Sequence, residues 1–434
     1  MKKNKFKIKN NVALNVTQTD KFKMSRLSIA FIYDADRVES PKKKLAFSTL
    51  MRGSKAYPTV IAINKALDDL YGSTVLYRYS SDGDRHVFTF VCEMLEEKYL
   101  PEDGKVDILG GTLDIMKDIL FSPLLDDNGN LRDDYVQSEK NIAIDNIRAK
   151  INDQRAYSAS KCKRKMFADA PCGIAIDGDE EIVSEFDTSS VSECVNGIYS
   201  NASVECSYIG SKDADEIKRL IEKFFDKMPN SNKDNSYGYE RFVSNAKPTY
   251  TEEISSVTQG RLNIGLTAPT VLGDDDYYSM SVFNEIFGGS STSKLFMNVR
   301  EKKSLCYYCN SVYLVSKGAI FIACGINPEN KDTALEEIFY QLEEMKKGNI
   351  TPDEIATAKK LISGALRQVT DSTGAIDGFA FRRLMAGISE SVEETLRKIN
   401  AVTYDDIVRV ANTVLPHTIY FLSPAENVEV ESDE

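Results

Sequence analysis

The sequence predicts an α+β protein of two related domains joined by an extended linker. Three observations carry this. First, short matches recur at nearly one offset. LDDLYGS (67–73) resembles FNEIFGG (283–289) at an offset of 216, and FDTSSVSECV (186–195) matches VTYDDIVRVA (402–411) at the same 216. VQSEKNIAI (136–144) shares its apolar pattern with IATAKKLIS (355–363) at 219. Unrelated matches would scatter, so one offset indicates a duplicated unit. Second, strand-like sequence precedes several long helical segments in each half, the order of an α+β domain. Third, PNSNKDNSYGYERFVSNAKPTY (229–250) is rich in Asn, Ser, Gly and Pro and has no sustained helical period. The domains are therefore 1–228 and 251–434, with 229–250 as linker.

In chain order, RHVFTFVCEM (85–94) and AIFIACGI (319–326) are rich in β-branched and aromatic residues and read as equivalent strands. Helices are expected at 108–121 and 133–152 in the first half, and at 331–348 and 352–369 in the second. The last opens with Thr351-Pro352-Asp353-Glu354, which sets an N-cap threonine, a first-turn proline and a glutamate for a capping box.

Composition bounds the function. The chain has 434 residues, 42% hydrophobic and 28% charged, enough apolar side chain for two or three cores of ordinary size. Its net charge is −12, which gives no phosphate-attracting field and argues against nucleic acid. The basic runs Lys2 to Lys9 and Lys42 to Lys44 read as solvated ends and loops. No apolar stretch approaches the roughly 18 residues of a membrane span, LSIAFIY (27–33) and GAIFIACGI (318–326) being the longest. The basic N-terminus lacks the apolar core of a secretion signal. Eight scattered cysteines suit a reduced, cytoplasmic chain rather than a disulfide framework.

The two histidines, His86 and His417, are too far apart for any local histidine zinc motif. Each reads as an ordinary hydrogen-bonded or exposed residue. Cys306 and Cys309 form a C-x-x-C, but in strand-like sequence an i, i+3 pair points to opposite faces, which argues against a shared function. DDNGN (126–130) would need an oxygen ligand at Leu124 to be a calcium loop, so it reads as a turn. DGDEE (177–181) and GDDDYY (273–278) read as solvated acidic loops. GGSSTS (288–293) lacks the Gly-Lys-Ser/Thr ending of a phosphate loop and reads as a turn into a helix.

The stretch FNEIFGGSSTSKLFMNVREKKSLCYYCNSVY (283–313) resembles the pitrilysin (insulinase) family of metallopeptidases. It has the family's Gly-Gly, Ser-rich turn, a helix ending V-R-E-K, and Leu and Tyr entering a strand. The order of motifs is similar over nearly the whole chain. The resemblance implies two homologous pitrilysin-like domains, as in mitochondrial processing peptidase, each a mixed, largely antiparallel sheet packed with helices. It also implies an inverted zinc motif, H-x-x-E-H, near the start of the first domain, and here the sequence departs. LAFSTLMRGSKAYPT (45–59) is similar to the motif helix and the Lys-Gly-Thr beyond it, which sets Lys44, Phe47 and Ser48 where His, Glu and His belong. The downstream acidic ligand is absent as well, because Asn146 stands seven residues past Glu139. A catalytic zinc needs about three protein ligands and an open position. This set supplies none, so no metal is expected in this chain.

What the resemblance retains is an Arg and a Tyr seven residues later, Arg300 and Tyr307, implied to reach substrate at a partner's metal. By themselves the two read as a helix-end arginine favoured by the dipole and a strand tyrosine. Ser304 stands where the family usually has Gly, so the intervening turn is expected to differ. The function implied is a non-catalytic subunit of a heterodimeric zinc peptidase. Its partner would be a chain of similar length that bears H-x-x-E-H and the zinc, and its substrate a peptide. The isolated chain could also form a homodimer. The alternative is a non-enzymatic peptide-binding or scaffold protein of the same fold.

Overall fold

In the first unit β1 (Lys2–Lys9), β2 (Val12–Gln18), β3 (Met24–Asp34), β4 (Thr74–Asp82), β5 (Arg85–Leu95) and β6 (Ser203–Gly210) make one sheet in the order β1-β2-β6-β3-β5-β4. Only β2 and β6 run parallel; the other neighbours are antiparallel. These strands belong to a computed structural model that describes residues 1–101, 106–229, 231, 233–244, 246–255 and 257–425. The alternation of β3 and β5 places Leu27, Ile29, Phe31, Phe88, Phe90 and Cys92 on one buried face. Against it lie α1 (Glu39–Leu50), α2 (Val60–Asp68), α3 (Ile108–Phe121), α4 (Asp133–Ala149) and their neighbours. The lysine-rich N-terminus is not a solvated end. It is the edge strand β1, where alternating lysines keep an unpaired edge from adding further strands and Phe6 and Ile8 rest on the core.

The chain continues through α5 (Gln154–Met166), α6 (Glu180–Ser184), α7 (Thr188–Gly197) and α8 (Ala214–Phe224). The second unit repeats the plan. Its strands are β7 (Thr249–Ser255), β8 (Gly260–Thr267), β9 (Cys306–Leu314), β10 (Ala319–Ile326) and β11 (Leu415–Pro424), ordered β7-β11-β8-β10-β9. Here β7 and β11 are parallel, as β2 and β6 are in the first sheet, and the other neighbours are antiparallel. Strand for strand this is the first sheet without β1. Its helices are α9 (Tyr277–Asn284), α10 (Lys331–Lys346), α11 (Pro352–Gln368), α13 (Val392–Ala401) and α14 (Tyr404–Ala411), while α12 (Thr373–Met385) is divided between the units, residues 373–380 belonging to the first. Matched stretches fall on equivalent elements: α4 on α11, and α7 before β6 on α14 before β11. The capping box at Thr351 and Glu354 forms with both reciprocal bonds. Both sheets are mixed, largely antiparallel and packed with helices, as the α+β reading requires.

The compact units are not two unbroken stretches of sequence. One comprises residues 1–148, 174–236 and 370–380, and the other 149–173, 237–369 and 381–434. Within the second unit, α5 covers the sheet face opposite the main core. Cys162, Met166 and Phe167 pack there against Tyr420, Leu422, Ala319 and Phe321. Gly265 on β8 is what lets α5 approach, since a Cβ there would meet the Met166 sulfur at 2.6 Å. Within the first unit, residues 370–380 supply the equivalent cover. Asp377 there binds Arg26 and Ser28 of β3. Of the stretch 229–250, Asn230, Asn232 and Asn245 lie outside the described residues, as do Ser256 and residues 426–434. Among the described residues of 229–248 there is neither helix nor strand. No described helix is long and apolar enough to cross a membrane.

Candidate functional site

Helix α1 carries the positions matched to the zinc motif. Lys44 is buried, and its Nζ lies 2.6 Å from Asp177 Oδ1 and 4.4 Å from the centre of the Tyr79 ring. Burial pulls the Lys44 pKa down, but the Asp177 charge and hydrogen bond outweigh it and hold the group above the ordinary lysine value. Phe47 is wholly buried among aromatic rings, 5.4 Å from Phe31, 5.4 Å from Phe90 and 5.5 Å from Phe88. Ser48 is half-buried on the same helix, and Asn146 lies exposed on α4. Helices α1 and α4 are tied by Arg52, whose Nε donates to Glu139 at 2.5 Å and whose Nη2 donates to Ser138.

These four positions do not fit a zinc ion. The Lys44 ammonium repels a dication, the Phe47 ring offers no lone pair, and Asn146 replaces a carboxylate with a neutral amide. Among the described residues no group of three or more His, Cys, Asp or Glu side chains is placed to hold a metal. The cation of this site is Lys44 itself.

The acidic loops are not simply solvated. In 177–181, Asp177 takes Lys44, Asp179 takes Arg37 and Glu180 takes Arg148. In 273–278, Asp274 takes Arg241 and Asp276 takes Arg409. DDNGN is a turn, with Asp126 Oδ1 accepting from the Asn128 and Asn130 amides. His86 is buried on β5 with Nε2 3.2 Å from the Ile174 carbonyl, and His417 lies between Thr418 and Ser244. The GGSSTS turn borders a small cleft lined by Glu285, Asp353 and Glu354, a lining that repels phosphate.

In the second unit the chain from 285 to 302 departs from ordinary α-helix. Glu285–Gly289 and Leu295–Lys302 are both π-helical, the wider i→i+5 winding often found where a helix must present particular side chains. Arg300 lies in the second of these. Its guanidinium sits 4.7 Å over the Phe296 ring and 3.5 Å from Glu301, with the side chain 41% exposed. The turn then closes on Ser304 at φ +52°, the left-handed conformation a glycine favours. The Ser304 and Leu305 amides donate to the Arg300 and Val299 carbonyls, both at 3.0 Å. Ser304 therefore makes a glycine-type turn without the glycine. Tyr307 is next on β9, 55% exposed, its hydroxyl donating to Asn327 Oδ1 at 3.2 Å. The Arg300 and Tyr307 side chains thus each have their own partner, and both reach solvent.

The register of β9 corrects the reading of the C-x-x-C. Cys309 pairs with Cys324 and Tyr308 with Gly325, but Ile326 pairs with Cys306, so β9 holds one extra residue, a bulge at Tyr307. Cys324 and Ile326 are two apart on β10 and share a face. Their partners Cys309 and Cys306 must share it too. Plain alternation would have separated them, and the third thiol, Cys324, is invisible until the strands are paired. Asp177 was equally hidden, because nothing local marks an acidic loop residue as the partner of a helix 133 positions away.

The sequence profile of a family described as the peptidase M16 inactive domain matches residues 186–362. The probable inactive metalloprotease YmfF of Bacillus subtilis is 28% identical over 414 residues, 95% of this chain and 96% of that protein. An uncharacterized zinc protease of the same organism, YmxG, is 24% identical over 325 residues, 73% of this chain and 76% of the other. Among solved structures, a conserved protein from Enterococcus faecalis superposes with a TM-score of 0.91 at 25% identity, over 98% of this chain and 100% of that one. A peptidase M16 inactive domain from Pseudomonas fluorescens gives 0.77 at 16% identity, over 98% and 99%, a likeness of fold.

Proposed function

The chain belongs to the pitrilysin (M16) family as a non-catalytic member, and from that premise we propose that it is the inactive subunit of a two-chain zinc peptidase. The partner is a chain of similar length with an intact H-x-x-E-H. This chain supplies part of the substrate chamber, with Arg300 binding the peptide and Tyr307 donating to its reacting carbonyl. The metal and its water chemistry are the partner's.

The observation that carries the reading is the asymmetry between the two units. At the zinc-motif positions the key side chains are committed to something else, Lys44 to Asp177 and Phe47 to the aromatic core. Arg300 and Tyr307 instead lie partly in solvent, each with only a local partner, Glu301 and Asn327. A guanidinium offers fixed parallel donors to a carbonyl or carboxylate. A phenol that needs only to leave Asn327 can stabilise a developing oxyanion. That Bacillus subtilis holds relatives named both as an inactive metalloprotease and as a zinc protease is consistent with such a pair.

The test is reconstitution with an H-x-x-E-H-bearing chain that co-purifies from the native cell. Peptidase activity is expected from the pair and from neither chain alone. Tyr307→Phe is expected to lower kcat about 100-fold without dissociating the pair, the scale of losing one oxyanion donor. Arg300→Gln is expected to act mainly through KM. A stable pair with no activity would turn the assignment to a peptide-binding scaffold. Unchanged turnover in Tyr307→Phe would remove that residue from the mechanism.

A further inference from the structure

Three thiols meet at the start of β9, and nothing in the proposed subunit role uses them. Cys309 and Cys324 face each other across the ladder between β9 and β10, and the bulge at Tyr307 turns Cys306 onto the same face. Cys309 and Cys324 are buried, whereas Cys306 is half-buried at the end of an edge strand, where small molecules can reach it. From these positions we propose that Cys306 is a peroxide-reactive thiol, and that a neighbouring thiol of the cluster resolves its oxidised form to a disulfide.

The surroundings suit each step. Cys309 and then Cys324 lie within hydrogen-bonding reach of Cys306, and both S–H groups stabilise it as thiolate. The Arg300 charge adds to this, and together they outweigh burial and hold the Cys306 thiol well below its ordinary pKa. Burial pushes Cys92, Cys162, Cys194 and Cys206 up, outweighing the Gly265 amide beside Cys162 and the cations near Cys92 and Cys194. The chain therefore carries its own unreactive controls.

In the first step the Cys306 thiolate attacks one oxygen of a hydroperoxide. The O–O bond breaks, sulfur is oxidised to sulfenic acid, and the leaving oxygen departs as hydroxide or alkoxide, taking a proton from solvent. In the second, the sulfur of Cys309 or Cys324 loses its proton and attacks the sulfenic sulfur. The S–O bond breaks and the oxygen leaves as water with that proton. Two thiols and one hydrogen peroxide thus give one disulfide and two waters.

The experiment uses the full chain. At pH 6, iodoacetamide is expected to label Cys306 about tenfold faster than Cys194, which is also half-buried. One equivalent of hydrogen peroxide is expected to remove two hydrogens from the intact mass. Non-reducing peptide mapping should then place the disulfide between Cys306 and Cys309 or Cys324. Cys306→Ser alters only a half-exposed atom, so it should fold normally and lose the mass change. Labelling of Cys306 no faster than Cys194 would overturn the proposal. So would thiols that survive peroxide in the wild type, or a disulfide that still forms in Cys306→Ser.

Discussion

At position 44, where the family resemblance sets a metal-binding histidine, an ammonium group holds the local carboxylate instead. Removing it leaves Asp177 without its main counter-charge. Lys44→Met is therefore expected to cost roughly 2–3 kcal/mol, less than the roughly 3–5 kcal/mol of breaking a fully buried pair because Asp177 is partly exposed. Lys44→Met/Asp177→Asn should recover at least half of that. Urea midpoints of the three proteins check this, and a single variant within about 0.5 kcal/mol of wild type would overturn it. The pH dependence has a definite sign. The pKa of Lys44 is raised by folding, so its contribution is complete below the ordinary lysine value and fades only as pH climbs past about 10. The gap between wild type and Lys44→Met should be flat from neutral pH to about 9. Lys44, Phe47 and Ser48 could be named from the sequence, because a motif is local. What Lys44 binds could not, because its partner is 133 residues away.

Helices α5 and α12 lie outside the helical segments expected from the sequence, and packing alone fixes their place. Each comes after an equivalent helix, α4 or α11, so the duplication extends to them. Yet α5 packs with β8, β10 and β11, which lie far downstream of it in the chain. The opening of α12 packs on the first sheet through Asp377, which accepts from Arg26 Nε at 3.1 Å and Ser28 Oγ at 2.6 Å. Arg26 also donates to Glu93 at 2.6 Å, so one guanidinium joins two strands and a distant segment. Asp377→Ala is expected to destabilise the protein by about 2–4 kcal/mol, since it strips a buried cation and a hydroxyl of one acceptor. Chemical denaturation reads this directly, and a loss below about 0.5 kcal/mol would mean the segment is held by other contacts. The β9 bulge belongs to the same scale. One inserted residue reverses the facing of Cys306, which no strand-period argument detects.

For the molecule as a whole, the exchanged segments bear on folding. Residues 149–173 complete the second unit and 370–380 the first, so neither unit is an uninterrupted half of the chain. A fragment of residues 1–228 would lack the segment with Asp377 and expose the apolar side of α5, with Cys162, Met166 and Phe167. It is expected to aggregate or to lack a cooperative transition, whereas the full chain is expected to melt cooperatively. A soluble, cooperatively melting fragment would refute this. The duplication and the α+β class were legible in the sequence, and the degenerate zinc motif and the Arg300–Tyr307 pair are what its family resemblance implies. These rest on a recurring offset, on local sequence pattern, or on a family motif of neighbouring residues. The tertiary structure alone decided which loop carboxylate meets Lys44, which helix covers which sheet, and which cysteines meet. Those are pairings between residues distant in the chain, and they are set by strand register and packing rather than by any local preference.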